Sequence, residues 1–196
     1  MKEKTSRKVQ AEQSKQRIYD AAISIFADKG FDDTSISEIC KKAKCSVGAF
    51  YHHFPSKDSV LEETFRIADE QFSGWQSLSS KTMNGYEMIV AYMKAYAEMV
   101  SQENGVEFSK RFYNTNNKIF IRKGRSMQSR LVEIIRTALA EGEISLETTP
   151  EETCEWLFIG ARGIVFHWCL HEGDFDLIEE MEIYTRRALK GITPSA

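Results

Sequence analysis

Side chains that donate hydrogen bonds are concentrated in a short stretch of the chain, and their types suit contact with phosphate groups. Tyr51, His52, His53 and Lys57 offer phenol, imidazole and ammonium donors, and Ser46 offers a hydroxyl group. A serine at the start of a helix also leaves backbone N–H groups free for an anion. The intervening residues, 47–49, are Val-Gly-Ala and are small enough to allow close approach. The pattern favours a nucleic-acid partner.

Two capped helix starts position these side chains. Ser35 and Glu38 form a capping box, in which each can satisfy a free backbone donor at the start of a helix. Ser46 can cap the next helix, which must end before Pro55 because proline lacks an amide hydrogen and disfavours helical geometry in the preceding residue. The spacing predicts two short helices, over about 36–43 and 47–53, joined by a turn of about four residues.

Longer helices flank this pair. An amphipathic stripe from Ser14 onward predicts a first helix that ends at Gly30, where a left-handed C-terminal cap belongs. Ser56 is expected to cap a fourth helix that ends near Trp75. The order predicts a helix-turn-helix unit, whose core we expect to contain Phe26, Ile39, Phe50 and Phe54.

The sequence of this unit resembles the DNA-binding domain of TetR-family transcriptional regulators. The resemblance is carried by TSISEIC at residues 34–40 and AKCSVGAFYHHFPSKDSVL at 43–61. It is close over about residues 14–61 and only architectural beyond them. One departure is Cys45, where the family usually has valine, and a buried cysteine is a fair apolar substitute.

The resemblance implies roles for individual residues. Thr34, Ser35, Ser46, Tyr51, His53 and Lys57 would mainly contact phosphates, and Val47, Gly48 and His52 would lie nearer the bases. A short recognition helix presents only its first turn to base edges, so small residues there are physically reasonable. The alternative is that the helices merely pack together and that Tyr51 or His53 seals a core.

The charge distribution agrees with a DNA contact at one end. Residues 1–60 contain 11 basic and 8 acidic side chains, a net charge of +3, whereas residues 61–196 contain 15 and 21, a net charge of −6. Residues 1–13 are almost without apolar side chains and are predicted to form a flexible basic arm. We therefore divide the chain into this arm, a DNA-binding domain over 14–56 and a larger domain over 57–196.

The remainder of the chain is helical in period, and the prediction is an all-α protein of about nine helices. Thr149, Pro150 and Glu152 mark a strong helix start, and that helix runs to about His171. With only 11 glycines and 3 prolines, an all-β sandwich or barrel is excluded.

The resemblance also implies a small-molecule pocket within the middle helices and a homodimer formed by the last two helices. Candidate dimer residues are Gly160, Ala161 and Gly163, although these glycines could simply accommodate a neighbouring helix of the same chain. A charged ligand could be contacted by Arg111, Arg162, Glu98 or Glu107, which helix-surface ion pairs explain equally well. The candidate pocket residues are Phe72, Trp75, Met93, Tyr96, Phe108, Phe112 and Trp156.

The sequence offers no support for catalysis. It contains no serine–histidine–aspartate order, phosphate-binding glycine loop or dinucleotide fingerprint, so we expect no enzyme activity and no cofactor. His167 and His171 have a spacing that can bind zinc, but without an acidic ligand at the right spacing we expect no metal. The four cysteines form no C-x-x-C pair. Because no signal peptide or long apolar run is present, the predicted location is the cytoplasm.

These observations predict a homodimeric, DNA-binding transcriptional regulator, and the resemblance to the TetR family implies a repressor that is released from a palindromic operator by a small molecule. One alternative is an activator, or a DNA-binding protein without a small ligand. Another is a helical ligand-binding or scaffold protein that has lost its affinity for DNA. Neither the ligand nor the operator sequence follows from the residues.

Overall fold

A computed structural model of the chain describes residues 2–76, 83–113, 119–121 and 124–192. For residues 2–7, 103–104 and 191–192 it describes the backbone only. The described residues contain nine α-helices and no strand, which confirms the all-α prediction. A π-helical turn, Met99–Asn104, and a 3₁₀ turn, Ile119–Ile121, supplement them. The helices are α1 Lys2–Lys29, α2 Ile36–Ala43, α3 Val47–His53, α4 Asp58–Ser73, α5 Gly85–Glu98, α6 Gly105–Phe112, α7 Ser126–Ala140, α8 Pro150–Leu170 and α9 Leu177–Ile192.

The chain divides into two compact units, residues 1–67 and 68–196. The boundary lies eleven residues beyond the predicted one at 56/57, because the first part of α4 packs into the N-terminal unit. Val60 is fully buried in its core. Lys15 Nζ lies 2.7 Å from a Glu63 carboxylate oxygen, and the Tyr19 hydroxyl donates a hydrogen bond of 3.1 Å to Thr64.

The first helix differs from its predicted extent. It begins at Lys2, whereas the apolar stripe predicts a start at Ser14 and assigns residues 1–13 to an arm. The apolar stripe in the sequence of α1 indicates only which part of the helix is buried against a core. Residues 8–13 are exposed, and the stretch 2–13 is rich in helix-forming Lys, Glu, Gln and Arg, which explains why the helix continues through it. Met1, like the chain end at 193–196, lies outside the described residues.

Local signals in the sequence fix the other helix ends well. Gly30 has a φ of +88° and donates its N–H to the Phe26 carbonyl at 2.9 Å, as a left-handed cap requires. The predicted capping box of Thr149 and Glu152 is present at the start of α8. Of the predicted N-terminal core residues, only Phe26 is partly exposed, because it packs at the edge of the cluster.

The C-terminal unit is built on α5, which is buried along most of its length and packs against α7 and α9. α8 packs against α6, α7 and α9. Cys154 and Cys169 are buried on α8, and all four cysteines are free thiols. Burial raises the pKa of Cys154 to about 12 and that of Cys169 to about 11, so both are neutral packing groups. No described helix is long and apolar enough to cross a membrane.

Candidate DNA-binding surface and aromatic core

Three local features fix the start of α2, its end and the start of α3. Ser35 accepts a hydrogen bond from the Glu38 N–H and Glu38 accepts one from the Ser35 N–H, so the capping box is complete. Lys44 adopts the left-handed conformation with a φ of +52° and ends α2. Ser46 Oγ then accepts the Ala49 N–H at 3.1 Å and starts α3. The orientation of α3 on its unit is therefore set by short-range hydrogen bonds.

Two aromatic residues attach α3 to the core. Phe50 is completely buried, Phe54 is 2% exposed, and their ring centroids lie 5.9 Å apart. Both rings belong to the apolar cluster that α1, α2 and α4 also supply. Since the inward face of α3 is occupied, the opposite face is directed to solvent.

The outward face of α3 consists of the residues predicted to contact DNA. Ser46, Val47, Gly48, Tyr51 and His52 are all exposed, with Val47 and Tyr51 about half exposed. A Cβ added at Gly48 would meet only Ser46 Oγ, at 3.8 Å, so the protein itself does not require a glycine there. A side chain at this position would project into solvent from the exposed face of α3.

His53 is half-buried and lies between the surface and the core. Burial lowers its pKa, and the nearby positive charges of His52 and Lys15 act in the same direction. A neutral imidazole still donates one hydrogen bond, which is compatible with a phosphate contact at the edge of the surface.

Thr34 and Lys57, which the resemblance assigns to phosphates, have structural partners. The Thr34 side chain is buried, and its hydroxyl donates a hydrogen bond of 2.6 Å to the Gly30 carbonyl. Lys57 Nζ donates to the carbonyls of Phe31 at 2.6 Å and Thr34 at 2.8 Å, and it lies 4.3 Å from the centroid of the Phe31 ring. Both residues stabilise the loop between α1 and α2, and Ser35 beside them belongs to the capping box. Motif matching cannot detect these contacts.

We expect Lys57→Met to lower the free energy of unfolding by about 1–2 kcal/mol in the absence of DNA, because hydrogen bonds to a charged group are lost. Urea unfolding followed by circular dichroism measures the change. Lys8→Met is the matched control, since Lys8 is exposed on α1. Equal stability of the two variants would mean that Lys57 does not stabilise the loop and would leave only its predicted contact with DNA phosphates.

The capping box makes the N-terminal unit sensitive to acid. Glu38 pairs with Lys29 at 2.6 Å and accepts hydrogen bonds from the Ser35 N–H and hydroxyl, and these contacts, that with Lys29 above all, lower its pKa from 4.5 to about 2. A carboxyl group with a lower pKa in the folded state stabilises the fold above its ordinary pKa. That contribution is lost as the pH falls through the folded value.

We therefore expect the stability difference between the wild type and Glu38→Gln to be constant above about pH 4.5 and to vanish towards pH 2. Urea unfolding at a series of pH values measures it. A difference that remains unchanged down to pH 2 would mean that the Glu38 charge does not stabilise the helix start.

Five of the seven predicted pocket residues fall into two aromatic groups in the C-terminal unit. Phe72 and Trp75 both contact Tyr92, with ring centroids 5.3 and 4.9 Å apart. Tyr92 is fully buried and its hydroxyl donates a hydrogen bond of 2.7 Å to the Met127 carbonyl. Met93, the next residue on α5, is also fully buried.

The second group, which we call the aromatic cluster, comprises Tyr96, Phe108, Phe112, Tyr113, Phe120 and Phe158. The hydroxyls of Tyr96 and Tyr113 share a hydrogen bond of 2.5 Å, and the Tyr96 ring lies 5.4 Å from Phe158. Phe112 stacks on Phe108 at 5.6 Å and contacts Phe120 edge-on at 5.3 Å. The sequence analysis omits Tyr113, Phe120 and Phe158, which adjoin predicted members of the group along the same or neighbouring helices.

Trp156 is not part of either group, and its assignment to the pocket is wrong. Its side chain is 64% exposed, on the outward face of α8. α8 is apolar on more than one face, so periodicity alone does not distinguish its inward from its outward residues.

The three predicted dimer residues have different environments. Ala161 is completely buried within its own subunit, so the structure contradicts its assignment to a dimer surface. A Cβ at Gly160 would overlap the Tyr184 hydroxyl of α9, so this glycine accommodates a neighbouring helix of the same chain. Gly163 is exposed and has no atom within 4 Å of an added Cβ, which leaves it available to a partner.

The geometry of the N-terminal unit agrees with the comparison to known families. Residues 18–64 match the model described as bacterial regulatory proteins of the tetR family, a range that contains α2, α3 and their caps. The N-terminal unit is therefore similar to the DNA-binding domain of that family. The A-factor receptor protein of Streptomyces griseus is 41% identical to the chain over 68 residues, which are 35% of this chain and 24% of the receptor. The chain thus covers less than half the length of the curated relatives it matches first.

Solved structures extend the likeness from the N-terminal unit to the fold of nearly the whole chain. FadR of Thermus thermophilus, a TetR-family transcriptional repressor solved with lauroyl-CoA, is 23% identical, with a TM-score of 0.71 over 93% of this chain and 96% of its own. A TetR-family regulator from Pectobacterium atrosepticum is 19% identical, with a TM-score of 0.70 over 95% and 97%. At these identities, the likeness establishes the fold alone.

Proposed function

We propose that this chain is a homodimeric transcriptional repressor in the cytoplasm that binds a palindromic operator and is released from it by a small molecule. The observation that carries the proposal is the outward face of α3, on which Ser46, Val47 and Gly48 are small and exposed while Phe50 and Phe54 anchor the helix. A helix built in this way can enter the major groove as one rigid element. Val47 could contact a thymine methyl group.

The phosphate contacts come from the edges of the same surface. We assign them to Ser46, Tyr51 and His53, with His52 nearer the bases. Thr34, Ser35 and Lys57 act mainly by fixing the loop before α2, and the exposed Ser35 remains a candidate for direct contact. The net charge of +3 on residues 1–60 supports an electrostatic contribution.

A second copy of the chain binds the second half-site of the operator. Four large apolar side chains, Trp156, Ile159, Phe166 and Leu170, are 45–65% exposed on α8. Together with Gly163 they recur at three- and four-residue intervals, which places them on one face that we call the α8 stripe. A stripe on a two-fold axis can pack against itself, with Gly163 allowing close approach. Two α3 helices then read half-sites about 10 bp or a multiple of that distance apart.

Ligand binding in the C-terminal unit would act through α4. This helix runs from Asp58 to Ser73 and so contains residues of both units. We propose that the ligand shifts α4 and changes the separation of the two α3 helices, so that the operator fits the ligand-free state better. The ligand-bound FadR structure supports a ligand-responsive role for this fold.

The test is fluorescence anisotropy of the purified protein with DNA from upstream of its own gene, against a scrambled sequence, at two salt concentrations. We expect tight binding that depends on sequence at the higher salt concentration. Equal loss of both complexes as salt rises would indicate phosphate attraction alone. Specific binding that no ligand relieves would favour an activator or a DNA-binding protein without a ligand. Absence of binding on any promoter tested would favour a helical scaffold protein.

A further inference from the structure

An arginine with one buried, unpartnered nitrogen lies beside the aromatic cluster. Nη1 of Arg162, on α8, is inaccessible to solvent and has no hydrogen-bond partner among the described residues. Arg162 also forms no ion pair with any carboxylate in the described part of the chain. Burying part of a guanidinium in this way costs free energy unless an anion compensates it.

The surroundings of Arg162 are aromatic. Its guanidinium carbon lies 5.8 Å from the centroid of the Phe120 ring, which in turn lies 4.9 Å from the Tyr113 ring. Tyr113 is hydrogen-bonded to Tyr96, and burial raises the pKa of both phenols, so neither supplies a negative charge. The neighbouring groups are therefore neutral and mostly apolar.

A second unpartnered polar group is attached to the same cluster. Ser109 is 1% exposed, and its Oγ has no hydrogen-bond partner among the described residues. Ser109 lies on α6, one helical turn before Tyr113, and its carbonyl accepts a hydrogen bond of 2.8 Å from the Tyr113 N–H. The buried Ser109 hydroxyl and the buried Nη1 of the half-buried Arg162, both without partners, are the kinds of donor that a bound carboxylate requires.

The charges around the aromatic cluster indicate that a ligand bound there carries a single negative charge. Arg125, the other cation near Tyr96 and Tyr113, has a counter-charge in Asp69 at 3.4 Å. One cation then remains to be balanced. A dianionic phosphate would leave excess negative charge in an apolar environment, whereas a carboxylate matches Arg162 one to one.

We infer that the C-terminal unit binds an apolar monocarboxylic acid, whose carboxylate accepts hydrogen bonds from Arg162 and Ser109 and whose apolar body lies against Phe112 and Phe120. This inference rests on the proposed function, because it names the class of small molecule to which the regulator responds. The acid supplies the missing counter-charge and so favours the ligand-bound state of the unit.

Isothermal titration of the full-length chain with sodium dodecanoate, sodium phenylacetate and the alcohols dodecanol and 2-phenylethanol tests the inference. For the wild type we expect at least one acid to bind at least about tenfold more tightly than its matching alcohol, since a charge-assisted hydrogen bond contributes that much. Arg162→Met should remove this preference and Ser109→Ala should reduce it. Arg136→Met is the matched control, because Arg136 is 58% exposed and pairs with Glu151 on the surface. Equal binding of acid and alcohol, binding of neither acid, or an unchanged acid affinity in Arg162→Met would overturn the inference.

The melting temperature of the Arg162→Met variant without ligand is a second measurement, which does not depend on the choice of acid. Because Arg162 has a buried nitrogen without a partner and no ion pair among the described residues, its replacement should leave the melting temperature of Arg162→Met equal to or above that of the wild type. A melting temperature several degrees lower would show that Arg162 is part of the structural framework, and would overturn the inference. Operator anisotropy on the same samples separates the two proposals: acid binding without operator binding contradicts the proposed function alone, and operator binding without acid binding contradicts this inference alone.

Discussion

We expect Gly48→Leu to weaken operator binding by about 100-fold or more, while the variant unfolds at a temperature no lower than that of the wild type. The free protein has room for the side chain, because Gly48 is exposed and an added Cβ meets only Ser46 Oγ at 3.8 Å. Leucine is also a better helix former than glycine. In the complex, however, the side chain would hold α3 away from the base edges, and each lost base contact costs about 1–3 kcal/mol.

Gly48→Ala is the matched control for this prediction. It adds one methyl group at the same position and should raise the free energy of unfolding by up to about 1 kcal/mol with a much smaller loss of affinity. Anisotropy with operator DNA and thermal unfolding by circular dichroism measure both properties on one preparation. Operator affinity of Gly48→Leu close to the wild-type value would show that this face of α3 does not approach DNA.

The second large effect is expected on the α8 stripe. Phe166→Asp should weaken dimerisation at least about 1,000-fold, because two-fold symmetry places two carboxylates in the interface and each is costly to bury without a partner. The subunit itself should remain folded, since Phe166 is 51% exposed in the single chain. Sedimentation velocity over a range of concentrations measures the dissociation constant.

Leu139→Asp is the matched control, because Leu139 is a 37% exposed apolar residue on α7, outside the stripe. It should remain a dimer with normal operator affinity. Phe166→Asp should lose operator affinity together with dimerisation, since one seven-residue α3 contacts too little DNA alone. A dimer that survives in Phe166→Asp would exclude the α8 stripe as the interface.

The sequence predicts the N-terminal unit closely because its signals are local. The capping box of Ser35 and Glu38, the Ser46 cap and the stop before Pro55 each depend on residues within four positions of one another. Ser56 shows the limit of such signals: it accepts the Ser59 N–H at 3.2 Å as expected, yet α4 begins at Asp58. Lys57 is a different case, since its partners lie more than twenty residues away.

The C-terminal unit is predicted less well because its burial depends on contacts between distant helices. Trp156 and Phe158 are aromatic residues two positions apart on α8, and one is 64% exposed while the other is 1% exposed. Gly160 and Gly163 are likewise equivalent in sequence, yet only Gly160 has a tyrosine against it. The face that each residue occupies follows from how α5, α6, α7 and α9 surround α8, and composition does not contain that information.

The contact between Gly160 and Tyr184 has a consequence for the kinetics of assembly. The Tyr184 hydroxyl lies within 3.1 Å and 3.3 Å of the Trp156 and Leu157 carbonyls, which fixes α8 to α9 within one subunit. When two subunits meet, α8 and α9 of each are therefore already folded and packed together, and association needs no further folding step. Association of two such preformed pairs should follow second-order kinetics, with a rate constant in the ordinary docking range of about 10⁵–10⁷ M⁻¹ s⁻¹. In the proposed homodimer, the strength of the α8 stripe would then set the dissociation rate, and with it the time for which the proposed repressor remains intact on its operator.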